Sequence, residues 1–377
     1  MVFIALLLSI IGIIEIWTID KAIAQKQALF VIFAILLGYI IYKYFKPSFI
    51  RILFYPLLII TVFLLILAHF SSDEVNRWIY LKFFYLQPSE ISKIVLAFMF
   101  YLYNPKENFL KVSFIVILIF LLILTQPDLG FAIAIAFVSF MIFYYSEVNR
   151  NLLLFIIFSI VSIISSFKTI IFMLSFFALI LLIYITKSKW YWSIISILTF
   201  IFFGVITPII WNKVLKPYQK ARIVAFLNPE VYKEKEAYQL YQAQIAIGSG
   251  KIFGKGYNKG TQKKYNFLPI AHTDFIFSAI CEDFGFLGGF FVITLIFILI
   301  LRMLIIFLTI EDEQLRRFTL TLILFFIYSF IVNISVNLGI MPTKGYPLLF
   351  LSYGGSHTIL DYICLFLIMW IKKYSTS

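Results

Sequence analysis

Charge is scarce in this chain. Asp, Glu, Lys and Arg make up only 13% of its 377 residues, whereas 63% are hydrophobic and 20% are aromatic. A water-soluble domain carries about 25% charged residues. The low charge excludes a soluble globular protein, because polar groups could not cover its surface. The mean hydropathy of +1.01 indicates that most of that surface faces lipid.

Cysteine and acidic residues are also few. The two cysteines, Cys281 and Cys364, both fall in apolar runs, so neither a disulfide framework nor a zinc site is indicated. Lys and Arg outnumber Asp and Glu by 31 to 18, which gives a net charge of +13. These cations lie mostly in short stretches between apolar runs. That pattern is typical of topology signals and of contacts with anionic membrane lipids, not of nucleic-acid binding.

Long apolar runs dominate what is present. A helix needs about 20 apolar residues to cross a bilayer, and the runs predict an all-α polytopic integral membrane protein with about ten to twelve transmembrane helices. The predicted spans are 2–18, 28–44, 52–70, 89–103, 110–125, 128–146, 152–167, 169–186, 191–211, 274–308, 318–340 and 348–371. We treat 1–377 as a single transmembrane domain, with an extra helical hairpin at 152–186 that either crosses the membrane twice or re-enters it.

The short loops on the side of the N-terminus carry more Lys and Arg than those on the other side. The positive-inside rule therefore predicts that both termini are cytoplasmic. The long segment 212–273 then becomes a large extracytoplasmic loop. Its own cations do not count, because long loops translocate largely regardless of charge.

Polar residues follow the third span, where a passive anchor would carry none. Trp78 reads as an interfacial aromatic residue, Ser89 as a helix cap after Pro88, and Glu90 as an acid near the positive end of a helix. Lys93 is harder to explain, because a charge inside the bilayer is costly. Glu90 and Lys93 share a helix face and can pair. A structural pair and a direct functional role both remain open.

Two further polar stretches interrupt apolar runs. In 126–130 the purely structural interpretation is a tight turn in which Asp128 caps the next helix. Asp128 would also lie close to the outer surface, so it could have a functional role as well. In 352–357 the small and polar residues, including Ser352 and His357, indicate either helix-packing contacts or a kinked helix that lines a cavity.

The segment from 212 to 283 is the richest in polar residues. It begins with a basic stretch at 216–222 and continues with 238–247, which predicts a short helix on the membrane surface. Five glycines follow between Gly248 and Gly260. Their spacing is not a dinucleotide fingerprint, but they allow close backbone approach to a ligand or a simple turn.

Asp274 is the strongest catalytic candidate, because it lies where the long outer loop meets the next span, at the outer surface of the membrane. The alternative is a helix N-cap, with His272 and Thr273 as neighbours. A helix N-terminus would lower the pKa of Asp274 and burial would raise it. The sequence alone leaves open which effect is larger.

Taken together, these stretches resemble the SEDS family (shape, elongation, division and sporulation proteins). The matching motifs are Asn-Arg-Trp-Ile at 76–79, Leu-Gln-Pro-Ser-Glu at 86–90 with Lys93, Gln-Pro-Asp-Leu-Gly at 126–130, Ile-Ala-Ile-Gly-Ser-Gly at 245–250, Phe-Gly-Lys-Gly at 253–256, Phe-Leu-Pro at 267–269 with His-Thr-Asp-Phe at 272–275, and Ser-Tyr-Gly-Gly-Ser at 352–356. They occur in the family's order and span most of the chain.

The resemblance implies a peptidoglycan glycosyltransferase that joins lipid II units into glycan strands on the outer face of the bacterial cytoplasmic membrane. It also implies a class B penicillin-binding protein as partner. The family's essential Asp maps onto Asp274, its loop Arg and Trp onto Arg77 and Trp78, and its Glu and Lys onto Glu90 and Lys93. Gly-Thr-Gln at 260–262 looks more like the elongation type, RodA, than like the division type, FtsW.

The predicted reaction needs a base on the acceptor hydroxyl and cations on the pyrophosphate leaving group. Asp274 is the predicted base. The residues predicted to contact the substrate are Arg77, Trp78, Glu90, Lys93, Asp128, Arg222, Lys255, His272, Thr273 and Ser352. A divalent cation, Mg²⁺ or Mn²⁺, could assist with Asp274 or Asp128 as its ligand, although nothing in the sequence requires one.

The chain departs from the family pattern at several positions. Ile270 stands where members usually carry Glu, Phe131 replaces a common Thr, Leu349 a common Pro, and His357 a common Ser. A lipid II flippase or transporter is the main functional alternative and predicts polar groups along a path through the membrane. A non-catalytic scaffold would not explain why Asp, His, Arg and Gly concentrate near one surface.

Overall fold

The computed structural model describes residues 1–70, 77–80, 85–126, 128–186, 189–213, 220, 224, 238–265, 267–342 and 345–375. Within these ranges it contains fourteen helices and one two-stranded hairpin. The helices are α1 (Val2–Ile19), α2 (Lys21–Tyr44), α3 (Pro47–His69), α4 (Pro88–Leu102), α5 (Phe109–Thr125), α6 (Leu129–Tyr145), α7 (Arg150–Ser165), α8 (Thr169–Ile185), α9 (Trp190–Lys213), α10 (Tyr238–Ser249), α11 (Thr261–Lys264), α12 (Ile276–Thr309), α13 (Glu313–Asn337) and α14 (Gly355–Ser375). The hairpin pairs β1 (Ile79–Tyr80) with β2 (Tyr85–Leu86) in antiparallel register.

Short polar turns define where the helices begin. Asp20 starts α2, because its carboxylate accepts hydrogen bonds from the main-chain N–H groups of Ala22 and Ile23 at 2.7 and 3.1 Å. Asp312 caps α13 in the same way, and Pro47 stands in the first turn of α3, where its missing N–H leaves no hydrogen bond unmade. These groups fix where α2, α3 and α13 begin. We call the end of the bundle where α1 ends and α12 begins the site end.

Helix α4 lies at the centre of the bundle. Nearly all of its side chains are buried, because α3 and α13 pack along it. Helix α14 packs along α2 and brings a second set of buried polar side chains, including His357 and Asp361, to the same interior. This central packing makes it possible for charged groups to meet inside an otherwise apolar bundle.

Helices α7, α8 and α9 form a satellite with its own small core. Phe158, Leu179 and Phe200 are its buried residues, and α7 reaches the main bundle through α6. Elsewhere α8 presents its apolar side chains outward, as expected where lipid covers them. The predicted hairpin at 152–186 is therefore helical, as α7 and α8.

Helix α12 is broken near its start. Gly285 has φ 68° and ψ −164° inside it, a conformation available only to glycine. The loop 250–256 packs against this break, and Phe286 N donates a hydrogen bond to the carbonyl of Lys251 at 2.8 Å. At this break, main-chain groups of α12 therefore form hydrogen bonds with the glycine-rich loop instead of with the next helical turn.

Helices suited to crossing a membrane are the main feature of the described residues. Seven are long and apolar enough to do so, namely α1, α2, α3, α9, α12, α13 and α14, and α5 to α8 are shorter apolar helices. Together with the buried α4, each of the twelve predicted spans contains a helix. The prediction of an all-α polytopic membrane protein is confirmed.

Several helices differ in length from the predicted spans. Helices α2, α3 and α13 begin at Lys21, Pro47 and Glu313, ahead of the predicted starts, because their caps lie outside the apolar runs. The last helix begins at Gly355, after the predicted start at 348. Residues 348–354 turn because their polar groups bind another loop, a contact that hydropathy does not register.

Candidate functional site

Asp274 lies in the loop that leads into α12, at the site end of the bundle. Its side chain is half-buried. Burial raises the pKa of Asp274 to about 6, and Asp128 adds to this, whereas Arg77 and His357 oppose it. Burial therefore outweighs every nearby positive charge. A carboxyl group that titrates this close to neutrality suits proton transfer.

Gly345 marks the meeting point of Asp274 and Arg77. A Cβ atom added to Gly345 would lie 3.2 Å from Asp274 Oδ2 and 3.9 Å from both terminal nitrogens of Arg77. The carboxylate and the guanidinium thus converge on a space that only a residue without a side chain leaves open. Within the described part of the chain, the buried Nε of Arg77 has no hydrogen-bond partner, and the Arg77 guanidinium carbon lies 5.7 Å from the Trp78 ring.

Two asparagines of α13 hold the main chain of Asp274. The side-chain nitrogens of Asn333 and Asn337 each donate to the Asp274 carbonyl at 3.0 Å. Asn337 also accepts from the Ser278 hydroxyl at 2.6 Å. These residues were not singled out as part of the site. The available signal was two amides four residues apart within an apolar helix, since such groups seldom lie in a membrane without a partner.

The opposite side of the same loop is held by 348–353. Ser352 is buried, and its hydroxyl donates to the carbonyl of Thr273 at 2.6 Å and accepts from Leu348 N at 2.8 Å. Tyr353 N donates to the carbonyl of His272 at 2.9 Å. Ser352 was predicted to contact substrate. The structure shows that its hydroxyl positions the loop that carries Asp274.

The predicted neighbours of Asp274 lie around it in the loop. His272 is half-buried, its ring lies 5.7 Å from that of Tyr353, and burial lowers its pKa. The Thr273 hydroxyl donates to the carbonyl of Ile270 at 3.1 Å. Ile270 has φ 56°, a strained conformation for a β-branched residue. The loop is thus held in one shape by contacts that outweigh this strain.

Asp128 caps α6 and also belongs to the site. Its Oδ1 accepts from Phe131 N at 3.3 Å, as the capping interpretation predicted. Its Oδ2 accepts from Gln87 Nε2 at 2.6 Å and from the Ser89 hydroxyl at 3.3 Å. Burial raises the pKa of Asp128, and Arg77 lowers it. Arg77 therefore acts on two carboxylates, Asp128 and Asp274.

Glu90 and Lys93 form the predicted pair, within a buried cluster of four side chains. Lys93 Nζ lies 2.5 Å from Glu90 Oε2 and 3.1 Å from Asp361 Oδ1. The ring nitrogens of His357 face Glu90 at 3.2 Å and Asp361 at 3.0 Å. Local spacing predicted the pair, whereas the partners on α14 lie far away in sequence.

The carboxylates and imidazole of this cluster are also arranged like metal ligands. One atom each from Glu90, His357 and Asp361 lies within 4.8 Å of the others. The Lys93 ammonium already lies against both carboxylates. This ammonium supplies the positive charge that a bound metal ion would otherwise provide.

Lys255 lies in a second charge cluster, between the glycine-rich loop and α12. Its Nζ lies 2.5 Å from Glu282 Oε1, and the same oxygen accepts from Thr261 N at 2.7 Å. The motif at 260–262 therefore wraps around a carboxylate of α12. Lys255, a predicted pyrophosphate ligand, is engaged in holding this loop.

The cluster continues to α1 through Lys263. The Lys263 ammonium is buried and lies 2.5 Å from Glu15 and 2.6 Å from Asp283. The available sequence signal was the acidic side chains of Glu15 and Asp283 within apolar runs. Arg222, the remaining predicted ligand, lies outside the described residues.

The family described as cell cycle protein FTSW_RODA_SPOVE matches this chain over residues 1–177 and 167–377. The chain belongs to this family. It is 33% identical over 347 residues to "Peptidoglycan glycosyltransferase RodA" of Treponema pallidum, covering 78% of this chain and 77% of that protein. It is 30% identical over 321 residues to "Probable peptidoglycan glycosyltransferase FtsW" of Wigglesworthia glossinidia brevipalpis, covering 80% and 71%.

A solved structure shares the fold. It is described as "Structural coordination of polymerization and crosslinking by a peptidoglycan synthase complex", and it matches with a TM-score of 0.73 and 22% identity. The match covers 99% of this chain and 97% of that one. The resemblance to the SEDS family is thereby confirmed at the level of both sequence and fold.

Proposed function

We propose that this chain is a peptidoglycan glycosyltransferase that polymerises lipid II on the outer face of the bacterial cytoplasmic membrane. Membership of the FTSW_RODA_SPOVE family supports the class of reaction. The convergence of Asp274 and Arg77 on Gly345 carries the assignment of the site. It brings a candidate base and a candidate anion ligand to one place.

In the proposed reaction, Asp274 takes the proton from the acceptor sugar hydroxyl. The resulting oxygen attacks the anomeric carbon of the donor, a new glycosidic bond forms, and the bond from that carbon to the pyrophosphate oxygen breaks. The pair of electrons leaves with the lipid pyrophosphate. Arg77 binds this leaving group through charge-assisted hydrogen bonds, and Trp78 packs beside Arg77.

The other predicted ligands take supporting roles in this proposal. Asp128 orients Gln87 and Ser89 beside Arg77, and the Glu90–Lys93 pair stabilises the central helix below the site. His272, Thr273 and Ser352 hold the loop that carries Asp274. Among the predicted cations, Arg77 is therefore the first choice for pyrophosphate, ahead of Lys255 and Arg222.

A divalent cation fits this site through carboxylate oxygen, the ligand that Mg²⁺ prefers. Asp274 is the better of the two predicted ligands, because both oxygens of Asp128 already accept hydrogen bonds. Such an ion would neutralise charge on the pyrophosphate. Arg77 contributes the guanidinium in either case.

We further propose that the chain is of the elongation type and works with a class B penicillin-binding protein. The resemblance of Gly-Thr-Gln at 260–262 to the elongation type supports the type, and a structural neighbour described as a peptidoglycan synthase complex supports the partner. Polymerisation should rise when purified partner is added, and unchanged glycan synthesis with every class B protein of the host would reject the pairing.

Lipid II transport is the second candidate, and the buried cluster around Lys93 is the observation that favours it. Polar groups inside a bundle are expected along a transport path. Transport predicts that labelled lipid II moves across vesicles that contain the protein. Polymerisation predicts glycan ladders from the same preparation. Movement without ladders would favour transport and reject the enzyme.

The direct test compares wild-type protein with Asp274→Asn and Asp20→Asn in detergent, with lipid II as substrate. Asp20 makes a matched control, because it is a second aspartate at the site end, where it caps α2. Asp274 has no such role, since the N-cap of α12 is Phe275. The proposal predicts glycan ladders from wild type and Asp20→Asn and none from Asp274→Asn at equal melting temperature. Full polymerisation by Asp274→Asn would refute Asp274 as the base.

A further inference from the structure

A basic groove lies at the opposite end of the bundle from Asp274. It encloses about 470 Å³ between the ends of α2 and α14 and the last third of α12. Arg302, Lys372 and Lys373 supply its charge, and Tyr42, Ile305 and Met369 belong to its walls. We propose that this groove binds the phosphate headgroup of an anionic phospholipid from the surrounding bilayer.

Arg302 is the residue that requires a partner. It lies seven residues before the end of α12 at Thr309, which places its Cα about 10 Å inside the helix end. Its side chain is exposed, and no described carboxylate lies within ion-pair distance of it. A guanidinium beside the exposed apolar side chains of Leu301 and Ile305 on a membrane helix is costly unless an anion or water reaches it. A phosphate diester supplies that anion and matches the fork of guanidinium donors.

The two lysines place further positive charge at the mouth of the groove. Lys372 and Lys373 lie in the last turn of α14, and Lys373 Nζ lies 5.3 Å from the centre of the Tyr42 ring. The aromatic ring and the cations resemble the arrangement found at membrane interfaces, where each basic residue near the surface favours anionic lipid.

The apolar surface beside the groove favours a lipid over a soluble anion. Ile305, Leu301 and Leu308 of α12 are exposed, and they continue from the groove along the outside of the bundle. Acyl chains attached to a bound headgroup would cover them. Free phosphate would satisfy the cations but leave this surface uncovered, so the shape and chemistry together indicate a phospholipid.

The test uses the full-length protein in neutral detergent, with phosphatidylglycerol or phosphatidylcholine added at equal concentration. Retained lipid is counted by native mass spectrometry, and the melting temperature is recorded beside it. We expect phosphatidylglycerol to be retained preferentially and to raise the melting temperature. Arg302→Gln should weaken its retention about fivefold, and Lys372→Gln with Lys373→Gln should weaken it further.

Lys43→Gln is the matched control, because Lys43 lies at the same end of the bundle, in the last turn of α2, and does not line the groove. It should retain phosphatidylglycerol like wild type. If Arg302→Gln lowers the melting temperature without lipid, Arg302→Lys restores the charge, and its recovery of retention supports the proposal. Equal retention of the two lipids, equal loss in Lys43→Gln, or full stabilisation by inorganic phosphate alone would overturn it.

Discussion

At the scale of single residues, the main chain and the side chain of Asp274 have different roles. Asn333 and Asn337 hold its carbonyl, so the loop cannot move freely. Its carboxylate is left to face Arg77 across Gly345. Because the loop is fixed in this way, the carboxyl group stays buried, and its burial raises the pKa to about 6. The acidity of the candidate base is thus a property of the loop's position.

The pH dependence of polymerisation tests this assignment. Because the proposed base must be ionised, activity should rise with pH through about 6, where Asp274 loses its proton. Arg77 lowers the pKa of Asp274, so Arg77→Gln should move this rise to higher pH as well as weaken activity. Normalised rates between pH 5 and 8 measure both. An unshifted pH profile in Arg77→Gln would show that Asp274 is not the group whose ionisation controls the rate.

Gly345 allows a second test at the residue scale. In Gly345→Ala the new methyl group would lie 3.2 Å from Asp274 Oδ2, in the space assigned to substrate. We expect polymerisation to fall, by on the order of a hundredfold if the reacting groups are displaced, with little change in melting temperature. Gly354→Ala is the control, since its methyl group would meet only His357 at an ordinary 3.5 Å. Equal activity in both variants would contradict the proposed location.

At the scale of helices and loops, two buried charge clusters hold the molecule together. One joins α4 to α14 through Lys93, and the other joins the glycine-rich loop to α1 and α12 through Lys255 and Lys263. Buried pairs are strongly sensitive to the loss of one partner, because the other charge is left uncompensated. These clusters therefore fix how the loops before and after Asp274 approach the bundle.

Substituting Lys263 tests the second cluster. Lys263→Met would leave Glu15 and Asp283 buried without their cation, which should cost about 3–5 kcal/mol of stability. Lys106→Met is the control, because the Lys106–Glu147 pair is largely exposed and should contribute less than about 1 kcal/mol. The melting temperature in detergent should fall clearly in the first variant only. Equal small losses would show that the cluster is not stabilising.

The clusters also show where prediction from the sequence stops. Glu90 and Lys93 were predicted to pair because three residues along a helix bring them to one face. Asp361 and His357 could not be assigned to them, since nothing local relates α14 to α4. The same limit applies to 348–354, where hydrogen bonds to Thr273 and His272 replace a predicted helical turn. Tertiary contacts determine these features, and such contacts produce no periodic pattern in the sequence.

At the scale of the whole molecule, hydropathy was sufficient to predict the class of fold. Every predicted span contains a helix, because crossing a bilayer demands a long apolar segment that is visible in the sequence itself. The satellite of α7 to α9 packs around its own core. The predicted hairpin of α7 and α8 adds an even number of spans. The later helices therefore keep the orientation in the membrane that they would have without it. The proposed outer location of Asp274 therefore does not depend on the satellite's detailed packing.

Topology reporters test this arrangement. With the N-terminus inside, fusions after Glu147 and Thr186 should report the cytoplasm and a fusion after Lys168 the outside, if α7 carries the chain outward and α8 returns it. A fusion after Ser249 should also report the outside. A cytoplasmic signal at Lys168 would show that the hairpin re-enters the membrane, and a cytoplasmic signal at Ser249 would contradict an outer-face site.

Polymerisation of lipid II by the purified chain tests the central claim most directly. Wild-type protein and Asp20→Asn should produce glycan ladders on a gel, whereas Asp274→Asn, equally stable in detergent, should produce none. Ladders of normal length from Asp274→Asn would contradict the account, because the group proposed to accept the proton would then be dispensable.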